Sequence, residues 1–253
     1  MQQAMASNYG ECPCCHDTGW EVYKATVFEY GEPEELEFAR PCQKCSGKRR
    51  AQDTTGIPEQ YYEADISKFD FTTYKVDMSK VKSICMDFVR NWDTWQKNGK
   101  GIYLYSKTPG SGKTYLASCL AKTVMIKHDL QMRFITAPDY LSMVGESYKR
   151  AQGTEDDSEV YRSCRLLVLD DIGAQKEGDW QNQEIFRLLN ERMEFGGITI
   201  FTSNSAPDQL NVGERTADRI IKSSVVLNMP EESIRRKKAE KEQSDFISRI
   251  LAN

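Results

Sequence analysis

The sequence predicts an α/β fold built on a parallel central sheet, preceded by a small zinc-binding module near the N-terminus. Three observations carry this prediction. Short apolar runs alternate with segments of helical periodicity between residues 78 and 229. A glycine-rich loop stands at the junction of a predicted strand and a predicted helix. Two C-x₂-C pairs lie within the first 45 residues, in a stretch that is poor in aliphatic side chains.

The central elements follow from the hydrophobic pattern. Apolar residues spaced three or four apart predict helices over residues 78–96, 113–128, 139–151, 158–165 and 183–195. Short apolar runs predict strands over 102–105, 132–136, 166–169, 198–202 and 225–229. The run LLVL at 166–169 is wholly apolar, as expected of a strand covered on both faces. A charged tail over 231–253 is expected to end in a short helix. We divide the chain into a zinc-binding module (1–56), a linker (57–77) and a nucleotide-binding domain (78–253).

Composition limits the possible functions. A net charge of −4 argues against a protein that coats nucleic acid by bulk electrostatics. No apolar run approaches the ~20 residues that a membrane-spanning helix needs, so no membrane partner is expected. The N-terminus lacks the basic start and apolar stretch of a secretory signal, so we expect a cytoplasmic protein. Without export, the eight cysteines are better explained as thiols or metal ligands than as disulfides.

The glycine-rich loop has the sequence YSKTPGSGKT and predicts a phosphate-binding loop, or P-loop. Gly110 and Gly112 allow a tight turn that aims backbone N–H groups at phosphate oxygens, beside a helix N-terminus. Lys113 would reach the β- and γ-phosphates of ATP, and the Thr114 hydroxyl would bind Mg²⁺. Lys107 replaces the usual first glycine of the motif, and a glycine-rich turn without a ligand is the alternative interpretation. The candidate ATP-binding residues are Pro109, Gly110, Ser111, Gly112, Lys113, Thr114, Tyr115 and Asp170.

Polar side chains end the next two buried strands. Asp170 and Asp171 follow the run LLVL, which should deliver both carboxylates beside the P-loop. We assign Asp170, with Thr114, to the magnesium site, and Asp171 to orienting or deprotonating the attacking water. Asn204 ends the following strand and could hold that water, although an Asn after a strand is usually a turn former.

Two stretches of the chain resemble a known family. The P-loop run GSGKTYLASCLA and the run LLVLDDIGAQKEGDWQNQEIFRLLNERMEFGGITIFTSN are similar to the DnaC/DnaI replicative helicase loaders and the related IstB transposition ATPases. The resemblance covers roughly residues 57–236. It implies an AAA+ fold of the initiator clade over the nucleotide-binding domain, with ATP held between neighbouring subunits and therefore self-association.

The resemblance also implies roles for individual residues. Asn204 matches the sensor-1 residue, and Arg219 matches the arginine finger that reaches a neighbour's γ-phosphate. Arg235 matches the sensor-2 arginine, with Arg236 as a neighbouring alternative and a solvated basic face as the simpler reading.

The cysteine pairs predict a tetrahedral Zn²⁺ site, because each C-x₂-C turn presents two thiolates. The expected ligands are Cys12, Cys15, Cys42 and Cys45. Zn–S bonds would supply folding energy that this core-poor segment lacks. Cys14 and His16 are spare donors, and four free thiols in a disordered arm are the alternative. The segment also resembles the zinc-bearing N-terminal region of DnaI-like loaders.

These features lead to competing functional hypotheses. The first is an ATPase that loads a replicative hexameric helicase on single-stranded DNA. The alternative is an IstB-like ATP-dependent helper of DNA transposition or recombination, and a third is an adaptor with little hydrolysis. The helix over 139–151 contains Tyr148, Lys149 and Arg150, which combine a ring for base stacking with charges for phosphates, or simply form a solvated helix end.

Overall fold

A computed structural model describes residue 14 and residues 20–29, 32–41, 55–148, 157–175 and 178–251. The chain forms two compact units, 1–55 and 56–253. The first contains an antiparallel ribbon of β1 (Trp20–Glu29) and β2 (Glu32–Pro41), with Trp20 paired to Pro41. The hydrophobic pattern of this segment predicts no strands, so the ribbon is a difference from the prediction. The predicted zinc ligands and His16 lie outside the described residues, whereas Cys14 is described and exposed.

A five-stranded parallel sheet forms the centre of the second unit, as predicted. Its strands are β3 (Gly101–Tyr105), β4 (Met132–Thr136), β5 (Leu166–Asp170), β6 (Ile198–Ser203) and β7 (Ser224–Asn228). They lie in the order β4-β5-β6-β3-β7. The carboxyl ends of all five therefore meet at one edge, where polar residues that follow the strands can form a site.

Helices cover both faces of this sheet. They are α1 (Ser79–Arg90), α2 (Trp92–Lys97), α3 (Lys113–His128), α4 (Ala137–Ser147), α5 (Glu159–Ser163), α6 (Asp179–Phe195), α7 (Glu214–Ser223) and α8 (Ile234–Leu251). Among the described helices, none is long and apolar enough to cross a membrane.

The helix predicted over 78–96 is two helices in the structure. Asn91 interrupts it with φ −111° and ψ 36°, outside the helical region. The Asp87 carboxylate accepts hydrogen bonds from Asn91 Nδ2 at 2.6 Å and from Trp95 Nε1 at 2.8 Å. These bonds fix the bend, which the three-to-four spacing of apolar residues did not reveal.

Residues 57–77, expected as a linker, pack into the core of the second unit. The buried side chains of this segment are Ile57, Ala64, Ile66, Phe69, Phe71 and Tyr74. They share one apolar cluster with α3, which is buried along most of its length. The segment thus forms part of the domain, because its aromatic rings cover the helix that follows the P-loop.

Candidate nucleotide site

A cavity of about 450 Å³ lies at the carboxyl edge of the sheet. It brings together most of the residues that the sequence predicted. These are Pro109, Gly110, Ser111, Gly112, Lys113, Thr114, Tyr115, Asp171, Asn204 and Arg235. Gln60, Tyr61, Ile234 and Lys238 complete its lining.

The P-loop depends on glycine at two positions. Gly110 has φ +76°, and a Cβ there would come within 2.9 Å of Ser233 Oγ and of Arg235 Cβ. Gly112 has φ +95°, and its Cβ would lie 2.7 Å from the Tyr74 hydroxyl oxygen. At each position, any residue with a Cβ would be disfavoured by the positive φ and would also meet these neighbouring atoms. The loop is therefore shaped by contacts with segments far away in the chain.

Lys113 is buried at the first turn of α3, with its ammonium group held by the loop. Nζ donates to the carbonyl oxygens of Ser106 at 3.3 Å and Thr108 at 3.4 Å, and to Ser111 Oγ at 3.3 Å. Burial lowers the pKa of Lys113, and the nearby Asp171 carboxylate opposes that shift. The charge is thus placed in a cradle that suits phosphate oxygens.

Asp170 is the last residue of β5 and Asp171 follows it, and a side chain of the neighbouring strand β6 hydrogen-bonds to both. Thr202 Oγ1 donates to Asp170 Oδ1 at 2.5 Å and accepts from the Asp171 N–H at 2.9 Å. Asp170 is 5% exposed, and burial raises its pKa to about 6, while the hydroxyls of Thr202 and Thr114 oppose the rise. Because β6 lies between β5 and β3, the acidic pair is one strand away from the strand that carries the P-loop.

Asp171 adopts φ +53°, a left-handed conformation that is uncommon for residues other than glycine. In this conformation its side chain lines the cavity, whereas Asp170 stays buried beneath. The two adjacent carboxylates therefore have different environments.

The structure separates the two sensor-2 candidates. Arg235 lines the cavity, and its N–H donates to the Gly110 carbonyl at 3.2 Å. Arg236 lines a different depression, together with Lys75 and Glu240. Of the two neighbouring arginines, only Arg235 lines the cavity that contains Lys113 and Asp171, whereas the depression beside Arg236 borders Thr108 and Pro109 at the start of the loop.

Arg219 does not lie in the cavity of its own chain. It is half-buried on α7, where its guanidinium lies 4.5 Å from the centre of the Phe186 ring. Its Nη1 also contacts Met193 Sδ at 3.9 Å. Arg219 could therefore contact a nucleotide only in the cavity of a second copy of the chain.

Several residues around the cavity are not predicted by the sequence pattern. Gln60 and Tyr61 line it, and the Tyr74 hydroxyl donates to the Ser111 carbonyl at 2.7 Å. The Thr202 hydroxyl forms hydrogen bonds with both Asp170 and Asp171. In the sequence, the aromatic residues near position 60 are the visible signal for these contacts, and their pattern predicts anchors of a linker.

Comparison with known proteins assigns the fold and the family. The model of the IstB-like ATP-binding proteins matches residues 43–242. The chain belongs to that family. This IstB-like protein is 31% identical over 197 residues to the replicative helicase loader DnaI of Bacillus subtilis (strain 168), covering 75% of this chain and 61% of DnaI. The chain thus spans less than two thirds of that relative's length.

Solved structures share the fold of this IstB-like protein. A crystal structure of the DnaC helicase loader matches with a TM-score of 0.61 and 22% identity, covering 68% of this chain and 100% of that one. The replication initiator DnaA, solved with AMPPCP and single-stranded DNA, matches with a TM-score of 0.57 and 18% identity, covering 73% of this chain and 56% of DnaA. The α/β fold is accordingly that of AAA+ P-loop proteins.

ATP fits the site that these residues form. The cradle offers backbone N–H groups, a helix N-terminus and the Lys113 ammonium to the phosphates. Among the described residues, no cluster of three or more His, Cys, Asp or Glu side chains could hold a metal ion. Thr114 and Asp170 offer oxygen ligands that would hold a magnesium ion here, and the ion would neutralise negative charge on the phosphates. Burial raises the pKa of Asp170 and so disfavours its ionised form, and a cation beside the carboxylate would offset that cost.

Proposed function

We propose that this chain is an ATP-dependent helicase loader that binds a replicative hexameric helicase and single-stranded DNA, and hydrolyses ATP between its own subunits. The main support for this proposal is the 31% identity, over 75% of the chain, with a replicative helicase loader. The nucleotide cavity supports the proposal, because it gathers the cation, carboxylates and amide that phosphoryl transfer uses.

Each residue has a separate part in hydrolysis. Lys113 binds the β- and γ-phosphates, and Thr114 with Asp170 holds Mg²⁺, which would neutralise charge on the phosphates. Asp171 lines the cavity and orients the attacking water or accepts its proton. Asn204 and Arg235 line the same cavity, where the amide holds water and the guanidinium contacts phosphate.

The Arg219 guanidinium completes the site of a neighbouring subunit. In its own chain it rests over the Phe186 ring rather than in the cavity. Self-association would bring it to the open side of a partner's nucleotide, where a bidentate guanidinium stabilises transferring charge.

Single-stranded DNA binds at an exposed aromatic pair. Tyr148, 58% exposed, packs edge-on against Trp180, with ring centres 6.4 Å apart. Its hydroxyl donates to Glu184 Oε1 at 3.0 Å and accepts from Arg187 Nη1 at 3.3 Å, so the ring is held in place. Such rings beside a cation suit base stacking without sequence preference. Lys149 and Arg150, predicted to bind phosphates, lie outside the described residues.

The N-terminal unit binds zinc and docks on the helicase. The pairing of Trp20 with Pro41 places the first residue of β1 beside the last residue of β2, at one end of the ribbon. One C-x₂-C pair precedes Trp20 and the other follows Pro41. This strand register supports the zinc proposal, because it lets the two pairs approach the same end of the ribbon.

Loading of a helicase on DNA tests the proposal directly. The replicative helicase of the host is mixed with circular single-stranded DNA, ATP and this protein, and DNA-bound helicase is measured after gel filtration. We expect loading that depends on the protein and that is lost in Lys113→Ala. Failure to bind the helicase, together with ATP-dependent filaments on duplex DNA, would instead support the transposition helper.

The aromatic pair is tested with a labelled oligo-dT and fluorescence anisotropy. Tyr148→Ala and Trp180→Ala should each weaken binding about tenfold, because stacking on one ring contributes roughly that much. Phe195→Ala is the matched control, since Phe195 is also an exposed ring on α6 but lies at the opposite end of that helix. Equal affinity in all three variants would contradict this site.

A further inference from the structure

The link between β7 and α8 lies against the start of the P-loop. From this link, Glu231 extends its carboxylate to three successive loop residues. It accepts hydrogen bonds from Ser106 Oγ at 3.1 Å, from the Lys107 N–H at 2.9 Å and from Thr108 Oγ1 at 2.7 Å. A carboxylate of the chain therefore fills a small anion-binding turn at the loop entrance.

Lys113 contacts the same three-residue segment through different groups. Its Nζ donates to the carbonyl oxygens of Ser106 at 3.3 Å and Thr108 at 3.4 Å. Residues 106–108 thus give N–H and hydroxyl donors to Glu231 and carbonyl acceptors to Lys113. A negative and a positive charge both favour this one conformation of the segment, since each charge meets the matching end of the peptide dipoles.

The arrangement also accounts for Lys107 in the place of the motif's usual first glycine. Its φ is not positive, so this position does not need glycine. The backbone N–H is used by Glu231, and the side chain is exposed. The unusual residue is therefore compatible with a formed loop.

Residues close to Glu231 in the chain also form hydrogen bonds to the P-loop. Ser106 Oγ contacts the Pro230 carbonyl oxygen at 3.1 Å, and the Arg235 N–H donates to the Gly110 carbonyl at 3.2 Å. The link before α8 thus contacts the start of the P-loop, and the first turn of α8, which carries Arg235, contacts its middle.

The electrostatics agree with an ionised Glu231. Burial pushes its pKa upward, but hydrogen bonds from Thr108, Lys107 and Ser106 prevail and hold it below the usual value.

We infer that Glu231 is a positioning residue of the nucleotide site, which holds residues 106–108 and Lys113 ready for the diphosphate part of the nucleotide. The inference rests on the proposed role of the P-loop in binding ATP. It extends that role to a residue more than 120 positions away in the chain. Glu231 acts on the loop and on Lys113, not on the reacting atoms.

The test compares Glu231→Ala and Glu231→Gln with Glu232→Ala. Glu232 is the matched control because its carboxylate binds the Lys75 N–H at 2.9 Å and Lys237 Nζ, not the P-loop. Affinity for MgADP is measured by calorimetry, and KM and kcat for ATP are measured by phosphate release. Thermal melting reports the folded fraction of each variant.

Glu231→Ala should weaken MgADP binding and raise KM about tenfold, with kcat changed less than about twofold, since ground-state binding is lost. Glu231→Gln keeps one acceptor oxygen and should fall between Ala and the parent, while Glu232→Ala should bind like the parent. Unchanged MgADP affinity in Glu231→Ala would overturn the inference, as would an equal loss in Glu232→Ala. A lower kcat at unchanged KM with a lower melting temperature would reduce Glu231 to a structural role. A parent protein that fails to bind MgADP would overturn the nucleotide site itself.

Discussion

Thr202 Oγ1 lies 2.5 Å from Asp170 Oδ1 and donates a hydrogen bond to it between two neighbouring strands. The bond supplies a partner for a carboxylate that is almost completely buried. It does not remove the cost of burial, because the pKa of Asp170 is still raised to about 6. The candidate magnesium ligand is therefore a group that opposes folding whenever it is ionised without a cation.

Asp170→Asn should stabilise the nucleotide-free protein at neutral pH. Because the folded-state pKa is raised above the ordinary 3.8, this group favours folding fully below pH 3.8, and that contribution is lost as pH rises through about 6. The gain in unfolding free energy of the Asn variant over the parent should grow by about 2 kcal/mol between pH 4.5 and 7.5. Urea denaturation of both proteins at the two pH values, without Mg²⁺, measures this difference in unfolding free energy. A gain that does not vary with pH would contradict the buried carboxylate.

Asp171→Asn should bind ATP like the parent but hydrolyse it at least ~100-fold more slowly, because the amide cannot accept a proton from water. Calorimetry measures the binding and phosphate release measures the turnover. Asp208→Asn is a suitable control, since Asp208 is exposed and lies outside the lining of the cavity. Parental turnover in Asp171→Asn would place the base elsewhere.

Arg219→Ala should bind ATP normally and lose turnover by up to ~10³-fold. Mixing it with the inactive Lys113→Ala should restore part of the activity, because an intact P-loop of one chain can then meet an intact Arg219 of the other. Recovery should increase with protein concentration, as association requires. Arg215→Ala, on the exposed first turn of the same helix, should retain activity. If no mixture exceeds the sum of its components, the shared site is wrong.

The purified protein should contain about one zinc ion per chain, held by Cys12, Cys15, Cys42 and Cys45. Elemental analysis should show loss of the metal in Cys12→Ser and Cys42→Ser. Cys14→Ser should retain it, which distinguishes the spare thiol from a ligand. Absence of zinc in the parent, with residues 1–55 still resistant to protease, would eliminate the site.

The parts of the site that could be predicted are those encoded locally. The P-loop, the acidic pair after β5 and Asn204 after β6 each follow a strand directly, so the strand pattern places them at one edge. Thr202 and Glu231 could not be recognised in this way. Glu231 meets residues 106–108 across more than 120 positions, and only the pairing of β7 with β3 brings the two segments together.

The elements of the fold that could be predicted are likewise those that show a local sequence pattern. The five parallel strands followed from short apolar runs, since strands covered on both faces must be apolar. The β1–β2 ribbon escaped prediction because charged residues interrupt its alternation, as in the sequence EPEELEFARP. The sequence predicts a linker over 57–77, because the regular alternation of strands and helices begins only after this segment. The burial of its aromatic rings depends on α3, which lies about 50 positions later.

The burial of residues 57–77 decides where this protein can be divided. The rings of Phe69, Phe71 and Tyr74 cover α3, and the Tyr74 hydroxyl holds the loop just before it. A fragment starting at residue 78 would expose an apolar trough above the phosphate cradle and lose one wall of the cavity with Tyr61. We therefore expect the smallest folded fragment with an intact nucleotide cavity to begin near residue 56, so that exchange of the N-terminal unit between related proteins would have to occur upstream of that point.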